Sequence, residues 1–210
     1  MGRRGVLAVV SGFSGAGKGT VTKRLAARYG QYALSVSATT REPRAGESEG
    51  VEYFFVSPRR FEEMRVAGDF LESATYVSHS YGTPRSYVLD QMAQGKDVIL
   101  EIELQGAMQV KKQMPEAVLI FVLPPDAREL ARRLAGRGTE PKDVVKARLQ
   151  RALEEAEEMD AYEYFVVNDD VEQCVSDVHT LIQSQHFRYI HNDELLDRLK
   201  GELRDVAEAL

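Results

Sequence analysis

The stretch V-L-A-V-V-S-G-F-S-G-A-G-K-G-T at 6–20 decides the fold. Its first part, 6–11, is apolar and β-branched and reads as a buried strand. Glycines stop it, and helix formers follow from about 18 to 29. In a strand–glycine loop–helix unit, backbone N–H groups turn inward around phosphate oxygens. The helix start adds partial positive charge, and Lys18 adds a full charge on a flexible stem. Gly12, Phe13, Ser14, Gly15, Ala16, Gly17, Lys18, Gly19 and Thr20 are therefore expected to cradle the phosphates of a nucleoside triphosphate. The usual pattern has Ser or Thr directly after the lysine, on Mg²⁺. Here that position is Gly19, and the hydroxyl arrives one residue later, at Thr20. No direct side-chain ligand to Mg²⁺ is expected. Phosphates and water should hold the ion, helped by an acid elsewhere, and Thr20 should donate to a phosphate.

Outward from this loop, strand and helix patterns alternate. Strands are predicted at 33–37, 51–56, 70–77, 97–101, 118–123 and 164–167. Helices are predicted at 58–67, from Thr83 as cap to about 94, and at 105–114, 126–135 and 142–160. The stretch 171–207 reads as mostly helical with a break near His191. Ser57 and Pro58 form a helix-start signal, and Pro43, Gly46 and Gly50 mark 38–50 as loop. The alternation predicts an α/β fold of the P-loop NTPase type, a parallel sheet with helices on both faces. Short, closely spaced strands in 37–83 break the rhythm and predict a small mixed insertion.

The chain has 210 residues, 43% hydrophobic and 29% charged, enough for one α/β domain with insertions. A net charge of −6 argues against nucleic acid as a partner. The apolar run at 6–10 is too short for a signal peptide or a membrane span. The single cysteine, Cys174, forms no internal disulfide and suits a reducing compartment. A cytoplasmic protein without a membrane partner is expected.

Several further blocks, in order, resemble guanylate kinases: S-V-S-A-T-T-R-E-P-R-A-G-E at 35–47, V-E-Y-F-F-V at 51–56, F-L-E at 70–72 and Y-G-T at 81–83. L-E-I-E-L-Q-G at 100–106, G-R-G-T-E at 136–140 and V-N-D-D at 167–170 complete the set. The resemblance spans roughly 6–185. It implies Mg²⁺-dependent transfer of phosphate from ATP to GMP or dGMP. It also implies a core (1–36, 84–135 and 161–210), a GMP-binding insertion (37–83) and a lid (136–160).

The resemblance also implies residue roles. Arg41 and Arg44, with Tyr53 and Tyr81, meet the GMP phosphate. Glu72, Ser37 and Thr83 read guanine, with Glu101 and Glu103 nearby. Arg133, Arg137 and Arg148 reach the transferring phosphate, and Asn168 meets the adenine of ATP. Lys18, Arg41, Arg137 and Arg148 are the expected catalytic set. The chemistry agrees: two guanidinium forks suit a dianion, and a carboxylate facing N1–H and N2–H₂ repels the N1 lone pair of adenine. Read alone, Arg41 and Arg44 fit a solvated basic turn equally well, and Glu72 a strand-end surface acid. At Glu103 the family often carries aspartate, which weakens the transfer of its role. Residues 128–151 hold eight Lys/Arg against three acids, and 154–163 hold six acids and no base. Such a run fits a solvated face as well as a lid. The apolar spacing after 190 fits docking on the core or self-association, so monomer and homo-oligomer stay open. Two rivals remain: a non-catalytic guanylate-kinase-like binding module, and a kinase for a ribose bisphosphate.

Overall fold

A computed structural model describes residues 4–76, 78–136 and 142–209. The predicted first strand is β1, Leu7–Gly12, and helix α1 follows at Lys18–Arg28. β2 (Tyr32–Leu34), β3 (Ser37–Thr39) and β4 (Tyr53–Phe55) come next, then α2 (Pro58–Ala67), β5 (Phe70–Tyr76) and β6 (His79–Pro84). The chain continues with α3 (Arg85–Ala93), β7 (Asp97–Glu101), α4 (Leu104–Gln113), β8 (Val118–Leu123) and α5 (Ala127–Ala135). It closes with α6 (Lys142–Ala156), β9 (Tyr164–Val167), α7 (Val171–Gln185) and α8 (Asp193–Glu208).

Five strands form one parallel sheet in the order β2-β7-β1-β8-β9. Its central strands are buried except at their carboxyl ends because helices cover both faces, and their sequences are correspondingly continuous in Val, Ile and Leu. A second sheet has the order β4-β3-β6-β5 and mixes parallel and antiparallel pairs. It has its own small core, in which Phe61 of α2 stacks on Phe70 of β5 at 4.6 Å. α2 starts as its sequence predicts: the Ser57 hydroxyl accepts from the Arg60 N–H at 3.2 Å, and Pro58 opens the helix.

Four expectations are corrected. The strand read at 33–37 is two strands in two sheets, and the loop read at 38–50 begins only after Thr39. The Ser35 N–H makes a bond to the large sheet, at Ile99 O, and the chain then crosses to the small one. Thr83 does not cap a helix. It lies in β6, a strand left unread because Gly82 and Pro84 suppress its β signal, and Pro84 precedes α3 instead. The helix read to 160 ends at Ala156, and a single 3₁₀ turn follows at Met159–Ala161.

The break near His191 is a 3₁₀ turn at Tyr189–His191. Beyond it, α8 buries no residue and leaves Leu195, Leu199, Leu203 and Val206 exposed. At the amino end of the large sheet's strands, away from the phosphate loop, buried Asp97 accepts from the Val6 N–H at 2.9 Å and pairs with His186 Nε2 at 2.8 Å. This ties the end of α7 to the start of β7. Among the described residues no helix is long and apolar enough to cross a membrane.

Candidate active site

The glycine loop joins the carboxyl end of β1 to the start of α1, where open parallel sheets bind ligands. Gly12 (φ 151°) and Gly17 (φ 95°) have backbones that L side chains rarely adopt. A Cβ at Gly12 would stand 2.3 Å from Val122 O, and one at Gly17 would stand 2.4 Å from Asn168 Nδ2. The loop is therefore pressed onto β8 and onto the residue after β9. Lys18 bends back over it, its Nζ donating to Gly12 O at 2.5 Å and Phe13 O at 3.1 Å. Asn168 is buried and donates from Nδ2 to Ala16 O at 2.8 Å, while Arg133 Nη2 donates to Asn168 O at 2.9 Å. These contacts brace the loop from beneath. Gly17→Ala should lower stability by about 1–3 kcal/mol and abolish triphosphate binding. Thermal melts with and without ATP check both effects.

The loop borders a cavity of about 530 Å³ whose walls include Lys18, Gly19, Thr20, Lys23 and Glu101. Glu101 ends β7 and is fixed by the Thr22 hydroxyl, which donates to Oε2 at 3.0 Å. A Cβ at Gly19 would lie 3.3 Å from Glu101 Oε1. The carboxylate thus stands beside the place where other loops of this kind carry a hydroxyl.

Glu101 also walls a second cavity of about 390 Å³, together with Ser37, Tyr53, Glu72, Tyr81 and Glu103. β3 and β4 bring Ser37 opposite Tyr53 in register, and β5 and β6 bring Glu72 opposite Thr83. A register shift between Phe70 and Glu72 accompanies the burial of Phe70, Leu71 and Glu72 in succession. Thr83 Oγ1 donates to Glu72 Oε1 at 2.6 Å. Burial pushes the Glu72 carboxyl above its ordinary range, partly offset by that bond.

At the cavity rim, Arg41 lies over the Tyr53 ring at 5.3 Å and donates from Nη2 to Glu47 Oε1 at 2.8 Å. Tyr53 and Tyr81 meet edge to face at 5.9 Å. The Glu47 carboxylate raises the Arg41 guanidinium further above its usual value. Glu47 Oε2 accepts the Arg44 N–H at 2.8 Å, so one acid orders both arginines. The Arg44 side chain itself is exposed.

Arg148 of α6 faces a third cavity of about 360 Å³, with Ser14, Glu103, Arg151 and Glu155. Arg137 lies outside the described residues. The structure thus groups Lys18, Thr20 and Glu101 in one cavity, and Ser37, Tyr53, Glu72, Tyr81, Glu101 and Glu103 in the next. Asn168 and Arg133 stand behind the loop. Sequence reasoning passed over Thr22, Glu47, Tyr76 and Arg151. Tyr76 donates to Glu103 Oε2 at 3.0 Å, and Arg151 Nη2 donates to the same oxygen at 2.7 Å. Arg151 follows Arg148 by three residues, the spacing of one helical face, which was the signal available.

Cys174 is buried, and burial raises its thiol to about 11, well away from a reactive thiolate.

A parallel sheet with a glycine loop and lysine at its strand ends defines a P-loop nucleotide-binding protein of the α/β class. The comparisons narrow this: the family model described as guanylate kinase matches residues 4–185, and the chain belongs to the guanylate kinase family. It is 49% identical over 211 residues to the guanylate kinase of Enterococcus faecalis, covering 100% of both chains. With that of Clostridioides difficile it shares 45% over 202 residues, 96% of this chain and 98% of the relative. A crystal structure of guanylate kinase from Anaplasma phagocytophilum is similar at a TM-score of 0.68, with 31% identity over 89% of each chain.

Proposed function

We propose that the protein is a guanylate kinase, transferring the γ-phosphate of ATP to GMP or dGMP and releasing ADP with GDP or dGDP respectively. The observation that carries this is the pair of adjoining cavities that share Glu101. One lies on the phosphate loop, and the other holds a buried carboxylate, Glu72, with the donors and acceptors a guanine edge needs. Identities of 45% and 49% over nearly the full length of two guanylate kinases support it.

In this reading the phosphate loop grips the β- and γ-phosphates through its backbone N–H groups and Lys18. Glu72 accepts N1–H and N2–H₂ of guanine, Ser37 donates to O6, and Thr83 both contacts the base and fixes Glu72. Arg41, Arg44, Tyr53 and Tyr81 hold the GMP phosphate. One of its oxygens attacks the γ-phosphorus in line, and the bond from that phosphorus to the β–γ bridging oxygen breaks, leaving ADP. Lys18, Arg41, Arg148 and Arg137 spread the developing charge, with Arg133 and Asn168 at the ATP side. The attacking oxygen is already ionised, so no strong base is required.

The residues fit Mg²⁺ held through phosphates and water. Gly19 offers no ligand, and the Glu101 carboxylate, oriented by Thr22, would be the side chain to hold a hydrated ion through water. When bound, the ion neutralises phosphate charge. Residues 37–83 serve as the GMP-binding insertion and 136–160 as the lid, with the rest as core, in a cytoplasmic protein.

Rates with GMP, dGMP, AMP and a ribose bisphosphate test the assignment. GMP and dGMP should be phosphorylated at least about 10³-fold better than AMP, because a site built to bond the guanine edge leaves buried groups unpaired with adenine. Preference for the ribose bisphosphate would overturn the assignment.

A further inference from the structure

We propose that Arg151 is a positioning residue that couples the two nucleotide sites. Its guanidinium spans from the arginine-bearing helix α6 to Glu103 at the wall of the guanine cavity. The inference rests on the substrate assignment above.

Glu103 belongs to two cavities at once. It lines the guanine cavity with Glu72 and Tyr76, and it lines the adjoining cavity with Ser14 of the phosphate loop, Arg148 and Arg151. Glu103 precedes α4 in the N-cap position, yet its side chain makes no capping bond. Its carboxylate is turned instead toward two other donors. Tyr76 OH, from the small sheet, and Arg151 Nη2, from α6, both reach Oε2, at 3.0 and 2.7 Å. Arg151 Nε is held within its own helix by Glu155 Oε1 at 3.2 Å, which aims the fork. One carboxylate oxygen therefore joins three elements: the small sheet that carries Glu72, the start of α4, and the helix that carries Arg148.

Two consequences follow. A guanine base that bonds to Glu103 fixes the carboxylate and, through it, Arg151. Arg148, three residues earlier on α6, is then brought to the phosphate loop side, where Ser14 lies. By linkage, each nucleotide must raise the other's affinity by the same factor. Arg151 and Glu103 are both about half exposed, 58% and 49%, so the pair is screened by salt and supplies a bias rather than a lock.

The test measures GMP affinity by calorimetry with and without a non-hydrolysable ATP analogue. The wild type, Arg151→Met, Arg151→Lys and the double variant Arg151→Met with Glu103→Gln are compared, each checked for folding by circular dichroism. The wild type should bind GMP at least about fivefold more tightly with the analogue present. Arg151→Met should bring that factor to about one to two, and Arg151→Lys should restore part of it, which a loss of packing alone would not allow. The double variant should show no further loss of coupling. Raising the salt should reduce the factor in the wild type and leave Arg151→Met unchanged. Undiminished coupling in Arg151→Met, or wild-type GMP affinity indifferent to the analogue, overturns the proposal. Absence of GMP binding to the wild type would instead defeat the substrate assignment itself.

Discussion

Lys18→Ala should lower kcat by about 10³-fold or more while GMP binds within about twofold of wild type. Lys18 is the one full positive charge inside the glycine loop, and its ammonium is held over the turn by two loop carbonyls. Backbone N–H groups in the loop still meet the triphosphate in the variant, so ATP binding should weaken less than turnover. The charge that builds on the oxygens around the γ-phosphorus is what the variant fails to meet. The guanine cavity is walled by Glu72, Tyr53 and Tyr81 and does not include Lys18, which is why GMP binding should survive. Steady-state kinetics with an ADP-coupled assay, paired with calorimetry for GMP, separates the two effects.

Glu72→Gln should cut kcat/KM for GMP by about 10²–10⁴-fold, as one hydrogen bond becomes a donor–donor contact and the other keeps only a neutral acceptor, at about 1.5–3 kcal/mol each. The amide offers N–H₂ where the base needs an acceptor, so preference for GMP over AMP should collapse in parallel. The same variant should be more stable than the wild type at pH values where Glu72 is ionised. Burial holds the folded-state pKa of Glu72 above its unfolded value. The favourable term this creates is fully present below the unfolded pKa and is lost as pH rises through the folded one. Once the pH has risen through the folded-state pKa the wild type carries an ionised, buried carboxylate at a cost, and glutamine removes that cost. Each kcal/mol recovered should raise Tm by about 2–4 °C for a chain of this size. The gain should shrink as pH falls into the carboxylate range, where the wild type protonates. Over the same descent the wild type's KM for GMP should rise, starting at a higher pH than an ordinary glutamate would give. Melting curves and KM measured across pH test both signs.

Local signals made the phosphate loop legible. An apolar run, glycines and helix formers lie consecutively at 6–20, so strand, turn and helix needed no distant partner to be read. β7 and β8 were legible for the same reason, as continuous buried runs ending in Glu101 and at Pro124. The small sheet was legible only in part: β4 and β5 were read at 51–56 and 70–77, whereas β3 and β6 were not. β3 is three residues, and its membership depends on β6 and β4, which are remote in sequence. β6 contains glycine and proline, which the antiparallel register with β5 overrides. Reading Thr83 as a cap followed from Pro84 behind it. Its hydroxyl serves Glu72 across the strand pair, a relation no local pattern shows. The nucleotide-facing residues were placed through resemblance, whereas Glu47, Thr22, Tyr76 and Arg151 act through other side chains. The partners of Thr22, Tyr76 and Arg151 stand 79, 27 and 48 positions away, beyond any local window, while Glu47 meets Arg41 only 6 positions back but inside an irregular loop that no periodicity reads.

The most direct measurement follows the label from [γ-³²P]ATP in the purified protein with GMP and Mg²⁺. One labelled GDP should form for each ADP, with the label on the β-phosphate of GDP and little free phosphate. ATP left intact in the presence of GMP, or consumed with the label released as inorganic phosphate, would contradict it.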